Sequence, residues 1–255
     1  MKISFLGTGT SQGIPVIGCE CHVCNSSDEH DKRLRTSLLV TIKGNNFVVD
    51  TGPDFRQQML RHKVKKLSAV LFTHEHKDHV AGLDDVRSFN FIMKSSVKVF
   101  AERRVQEALK REFLYAFSDL PYPGLPQIEM HEVLNRDFTV NGVKITPVRL
   151  MHYKLPIFGY KFGKVAYLTD VKTIPVEELD KLQNLDCLII TALRKTEHIS
   201  HMSLSEALQT IRLLKPKKAY LTHLSHLMGK HKDVQAELPE NVFLAYDGLT
   251  VDFED

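Results

Sequence analysis

Short apolar runs recur along the chain and read as strands: Lys2–Leu6, Ser37–Ile42, Phe47–Asp50, Ser68–Thr73, Val97–Phe100 and Ile128–Val133. The series continues with Val143–Leu150, Ile157–Phe162, Val165–Thr169, Asp186–Ile190, Ala219–Thr222 and Asn241–Leu244. Gly44-Asn45-Asn46, Asn141-Gly142 and Gly163 punctuate them as hairpin turns. A helix period runs through Arg103–Phe113, Pro175–Leu182 and Ser203–Leu214. Pro175 suits a first helical turn, and Ser203 with Glu206 three residues on forms a capping box. Hairpin strands early and alternating strands and helices later predict an α/β fold of two stacked sheets with helices outside. Loops at one shared edge of the sheets would carry the chemistry. With no repeat, low-complexity stretch or Gly/Ser linker, residues 1–255 read as one domain.

The chemistry is concentrated in His74-Glu75-His76-Lys77-Asp78-His79, directly after the apolar run Leu67–Thr73. Three imidazoles and a carboxylate at this spacing supply N and O ligands for zinc or manganese. A loop leaving a strand can turn His74 and His76 toward one ion, and Asp78 and His79 toward a second. Three further candidates each close a strand: His152, Asp170 and His223.

The net charge of +3 predicts no polyanion-binding surface. No run of 18 apolar residues marks a membrane span, and the start of the chain lacks a signal-peptide pattern, so a cytoplasmic location is expected. A reducing compartment disfavours disulfides, so Cys19, Cys21 and Cys24 point to metal, one ligand short of a closed tetrahedral zinc site. His226 is the candidate fourth ligand, with His22 and His30 as local alternatives. Cys187 sits in an apolar run and reads as a small buried hydrophobe.

The order His74-x-His76-x-Asp78-His79, His152, Asp170, His223, with Asp50 in Val48-Val49-Asp50-Thr51-Gly52, resembles the metallo-β-lactamase superfamily along the whole chain. That resemblance implies a four-layer αββα sandwich with a dinuclear site at one edge of the two sheets. It assigns His74, His76 and His152 to one ion, Asp78, His79 and His223 to the other, and Asp170 as a bridge. Asp50 would orient the ligand loop by hydrogen bonds. An Asp at position 170, where class B β-lactamases usually carry Cys, argues against β-lactam hydrolysis and makes manganese a rival to zinc. The Cys-x-Cys-x-x-Cys cluster near one end and His223-x-x-His226 near the other resemble the PhnP-type branch. In it an extra structural zinc ties an N-terminal loop to the active-site edge. The opening Phe5-Leu6-Gly7-Thr8-Gly9-Thr10, with Pro15 and Gly18, also looks like this branch and like tRNase Z. It lacks dinucleotide-binding spacing, and its glycines are expected to serve a tight turn.

The resemblance implies a phosphodiesterase opening a small cyclic phosphodiester such as 5-phosphoribosyl 1,2-cyclic phosphate. Two ions about 3.5–4 Å apart would lower the pKa of a bridging water, whose hydroxide attacks phosphorus in line with the leaving oxygen. The catalytic residues would be Asp78 and, as general acid, His201, preferred over His198 by its position before the capped helix. Arg35 and Arg194 are weaker candidates for a substrate phosphate, and Asp84-Asp85 reads as a solvated helix turn. Rival functions are tRNA 3′ processing, lactone or thioester hydrolysis, and a metal-binding scaffold without turnover. Near-neutral charge and the lack of a protruding arm, Pro121–Pro126 being too short, weigh against RNA as a partner. A homodimer follows from the resemblance alone.

Overall fold

A computed structural model describes residues 1–118 and 124–254; of the Pro121–Pro126 stretch, residues 121–123 lie outside the described residues. Among the described residues, two seven-stranded sheets stack face to face. The first contains β1 (Lys2–Gly7), β2 (Ser37–Ile42), β3 (Asn45–Val49), β4 (Ala69–Leu71), β5 (Val97–Ala101) and β6 (Ile128–Glu132). The second runs β7 (Phe138–Val140), β8 (Val143–His152), β9 (Leu155–Phe162), β10 (Val165–Leu168), β11 (Cys187–Thr191), β12 (Lys218–Thr222) and β13 (Val242–Leu244). β14 (Thr250–Asp252) pairs antiparallel with β1, opposite β2.

The layers follow from strand alternation with both faces buried. Phe5, Val40, Phe47 and Leu71 face inward and meet Phe158, Tyr160 and Tyr167 of the second sheet in the central core. Their neighbours Leu6, Leu39, Val48 and Val70 face outward, under α1 (Phe55–Arg61), α2 (Lys77–Val80), α3 (Arg87–Met93) and α4 (Arg103–Glu112). The outer face of the second sheet is covered by α5 (Leu204–Leu214) and α6 (His231–Glu237). This is the expected αββα sandwich. The Ser203–Glu206 capping box is present in full. Among the described residues, no helix is long and apolar enough to cross a membrane.

Three details depart from the pattern. Val176–Leu182 is 3-10 rather than α-helical: Leu179 and Leu182, three residues apart, pack on the second sheet's outer core, while Val176 is exposed. Asp84 and Asp85 lie in a short 3-10 turn, where Asp84 accepts a hydrogen bond from the Tyr115 hydroxyl. Gly7 serves close approach rather than a tight turn, since a Cβ there would lie 2.0 Å from the Arg35 carbonyl oxygen.

Topology creates one chemical edge. β3, β4 and β5 run parallel, as do β10 through β13, so their C-terminal ends share a side. Asp50 leaves β3, His74 leaves β4, His152 closes β8, Asp170 follows β10 and His223 follows β12. Asp50, Asp170 and His223 adopt left-handed backbone (φ 64°, 59° and 57°), costly for non-glycine residues and common where function fixes a side chain. Gly52 lets this edge close, since a Cβ there would lie 2.1 Å from the Asp78 carbonyl oxygen. Gly52→Ala should therefore destabilise the protein by about 1–3 kcal/mol in urea unfolding. A variant of unchanged midpoint would mean that α2 moves aside freely.

Candidate metal centres

Asp50 is fully buried and builds the site from beneath. Its carboxylate accepts from the Thr73 backbone N–H and hydroxyl, each at 2.9 Å, and from His79 Nδ1 at 2.7 Å. Burial pushes its pKa up while His79 pulls it back. The same His79 bond turns Nε2 into the cleft, 3.2 Å from carboxylate oxygens of both Asp78 and Asp170. His74 is turned likewise, with Nδ1 3.0 Å from the Thr73 hydroxyl. His152 Nδ1 lies 2.9 Å from the carbonyl oxygens of Asp170 and Ser200, leaving its Nε2 as the free nitrogen.

The expected ligands gather in two groups. His74, His76 and His152 form one, and Asp78, His79, Asp170 and His223 the other; in each, the donor atoms lie within 4.8 Å of one another. The Nε2 atoms of His74, His79 and His223 are buried without a hydrogen-bond partner. Those of His79 and His223 face the Asp78 and Asp170 carboxylates, while His74 stands with His76 and His152. Such orphaned nitrogens fit divalent cations, with no thiolate in either group. His223 Nε2 stands 3.1 Å from Asp170 and 4.0 Å from Asp78.

The electrostatics describe a site held together by protons. Burial alone would lower His223, yet Asp170 and Asp78 raise it to about 9; His79 is raised well above its ordinary range by the same carboxylates. Asp78 and Asp170 are correspondingly lowered, His79 and His223 outweighing burial. His74 is driven down by burial and by His79. A histidine raised from 6.5 to about 9 contributes stability that is full below pH 6.5 and lost as pH rises through 9. Metal-free protein should accordingly melt at falling temperature between pH 6.5 and 9. Cations would displace these protons, so binding at pH 7 should release protons, read by calorimetry in buffers of different ionisation heat. Binding without proton release would contradict this arrangement.

His201 lies against the centre, its ring 4.6 Å from that of His152 and 4.8 Å from that of His223, with Nδ1 3.7 Å from Asp170. Burial and His223 press its pKa to about 2. His198 sits one ring further out, 5.2 Å from His201, and accepts from the Ser200 backbone N–H. Arg35 is engaged elsewhere, with Asp54 and the Ser11 carbonyl. Arg194 donates to the carbonyls of Thr196 and Glu197 in its own loop. Neither arginine has a hydrogen bond directed to the centre.

The cysteine cluster forms a second candidate centre. The sulfurs of Cys19, Cys21 and Cys24 lie 3.3, 3.4 and 3.5 Å from His226 Nδ1. Three sulfurs around one imidazole nitrogen fit tetrahedral zinc. A backbone N–H from Cys24 helps lower the Cys21 thiol to about 6, while burial raises Cys24 to about 11. Neither local alternative joins the group: His30 packs against Tyr246 at 4.2 Å, and His22 lies outside it. Cys187 is buried in the central core.

Sequence reasoning missed the supports of the first loop. Arg104 donates to Glu75, between the two loop histidines, and no local motif signals a pair 29 residues apart.

A four-layer sandwich carrying these groups at its edge defines the metallo-β-lactamase fold, a hydrolase fold that binds divalent metal. The chain belongs to the β-lactamase superfamily, whose domain model matches residues 45–224. A diphosphatase of the PhnP family superposes with a TM-score of 0.93 and 41% identity, covering 99% of this chain and 98% of the other. Human tRNase Z, short form, superposes at 0.72 with 18% identity over all of both chains, a likeness of fold. A Porphyromonas gingivalis octanoyltransferase is 43% identical over 98% of this chain and 51% of its own. The chain spans about half the length of the curated relatives it matches.

Proposed function

We propose that the protein is a two-metal phosphodiesterase that opens a small cyclic or otherwise activated phosphodiester. The carrying observation is the convergence of the unpartnered Nε2 atoms of His79 and His223 on Asp78 and Asp170, beside a second group of His74, His76 and His152 in which His74 Nε2 is likewise unpartnered. In this reading His74, His76 and His152 would hold one divalent ion, and Asp78, His79, His223 and Asp170 the other. Two zinc or manganese ions there would supply a water of lowered pKa and polarise phosphoryl oxygens. Asp50 fixes the His79 ring, and the carbonyls of Asp170 and Ser200 fix His152. His201 is the group that passes a proton to the leaving oxygen. Asp170, 3.7 Å from its Nδ1, supports the charged form, and an anionic phosphate beside it offsets the push of burial. A structural zinc on Cys19, Cys21, Cys24 and His226 ties the N-terminal loop to the segment carrying His223.

Likeness to the PhnP-family diphosphatase over the full chain supports phosphoryl chemistry and adds diphosphate diesters to the substrates worth offering. A second reading, acyl hydrolysis, is favoured by the 43% identity with half of an octanoyltransferase. The metal-loaded protein should be offered 5-phosphoribosyl 1,2-cyclic phosphate, ADP-ribose, bis(p-nitrophenyl) phosphate, an octanoyl thioester and a tRNA precursor. Turnover of the cyclic ribosyl phosphate far above the generic diester is expected. Preference for ADP-ribose would move the substrate to a diphosphate. Turnover of the thioester or the RNA alone would replace the proposal.

A further inference from the structure

The two halves of the His74–His76–His152 group come from different sheets, His74 and His76 from the exit of β4 and His152 from the end of β8. Their meeting point depends on what holds those elements across the edge. Glu75, between the two loop histidines, accepts a hydrogen bond from Arg104 Nη1. The other fork nitrogen of Arg104, Nη2, donates to the Pro156 carbonyl at 2.7 Å. Pro156 lies on β9 opposite Met151, one residue before His152. One guanidinium in the first turn of α4 thus grips both sheets where the group assembles.

The base of that helix is itself anchored. Glu102 accepts from Arg149 Nη1 at 3.1 Å and Nη2 at 2.7 Å, and Arg149 lies on β8 three residues before His152. The Arg149 guanidinium lies 3.8 Å from the centre of the Phe158 ring, which fixes it further. The sheets are also joined independently of Arg104. Phe158 N–H donates to the Thr73 carbonyl at 3.1 Å, and the Tyr160 hydroxyl donates to the Phe72 carbonyl at 2.7 Å. A partly exposed Arg–Glu pair adds little to stability. Its effect is on where the loop stands.

We propose that Arg104 is a positioning residue for the His74–His76–His152 ion, acting through Glu75. This rests on the two-ion reading of the centre. The experiment is a cobalt(II) titration of metal-free full-length protein, followed by visible absorption. Arg104→Ala should weaken one of the two ions by roughly tenfold or more and change its absorption bands. The other ion, and the thiolate–cobalt band of the cysteine site, should be unchanged. Arg104→Lys keeps a charge for Glu75 but not the two-headed grip, so it should recover part of the loss. Glu75→Ala should match Arg104→Ala, with the double variant no weaker than either. Wild-type affinities and bands in Arg104→Ala would overturn the proposal, as would equal weakening at all sites. Fewer than two cobalt ions at this centre in the wild type would instead sink the reading beneath it.

Discussion

Asp78→Ala should lose turnover by on the order of a thousandfold on whichever ester the protein accepts, because a bound divalent ion supplies several kcal/mol of transition-state stabilisation. The Asp78 carboxylate stands 3.2 Å from His79 Nε2 and 4.0 Å from His223 Nε2. It is the carboxylate that this ion would share with no other. Without it, the Nε2 atoms of these two buried imidazoles face only the Asp170 carboxylate, which would serve both groups. Metal analysis of the variant should show about one ion fewer, with the αββα fold retained because α2 contributes little core beyond Val80. Activity within tenfold of the parent, at unchanged metal content, would remove Asp78 from the site.

The second large effect is on stability. Cys21→Ser should empty the cysteine site of zinc and lower the melting temperature markedly, since binding energy at a structural zinc is folding energy, about 10–16 kcal/mol in isolated finger peptides. The end of the loop from Ser11 to Arg33 is held by Arg33, which donates to Thr8 and the Ala245 carbonyl, and by Asp31, which accepts from the His231 backbone N–H. Around the cysteines, however, its own apolar cluster is small: Ile14, Val23 and Cys24. The damage should reach the hydrolytic centre. His226 lies three residues after His223, and between them Leu224 exchanges backbone hydrogen bonds with Thr8 and Thr10 at 2.9 and 3.0 Å. Zinc content, thermal denaturation and affinity for the centre's own metals should fall together. Zinc at full stoichiometry in Cys21→Ser would show that the cluster is not a metal site.

Both predictions concern residues that could be found in the sequence, for a physical reason. His74 to His79 are contiguous, and His152, Asp170 and His223 each close a strand whose apolar run is plain. Elements with an inverted or thin pattern were not legible. In α3, Asn90 is buried while Phe91 and Ile92 are exposed, which masks the inward Phe89–Met93 face. α6 buries only Val234, and β7 and β14 are three-residue strands at sheet margins. The choice among His226, His22 and His30 needed the closed fold, because His226 meets Cys19 across 207 positions. The Arg104–Glu75 grip was hidden for the same reason.

The pairing of β14 with β1 brings the two ends of the chain side by side, Lys2 opposite Asp252. β1 runs from there toward Gly9, whose bridge to Leu224 lies beside the metal edge, so the ends sit at the far side of the sandwich. A fold arranged this way can be joined to a neighbour, inserted into one, or circularly permuted while its cleft keeps facing solvent. Recombination can thus vary what accompanies this unit independently of the reaction at its opposite rim.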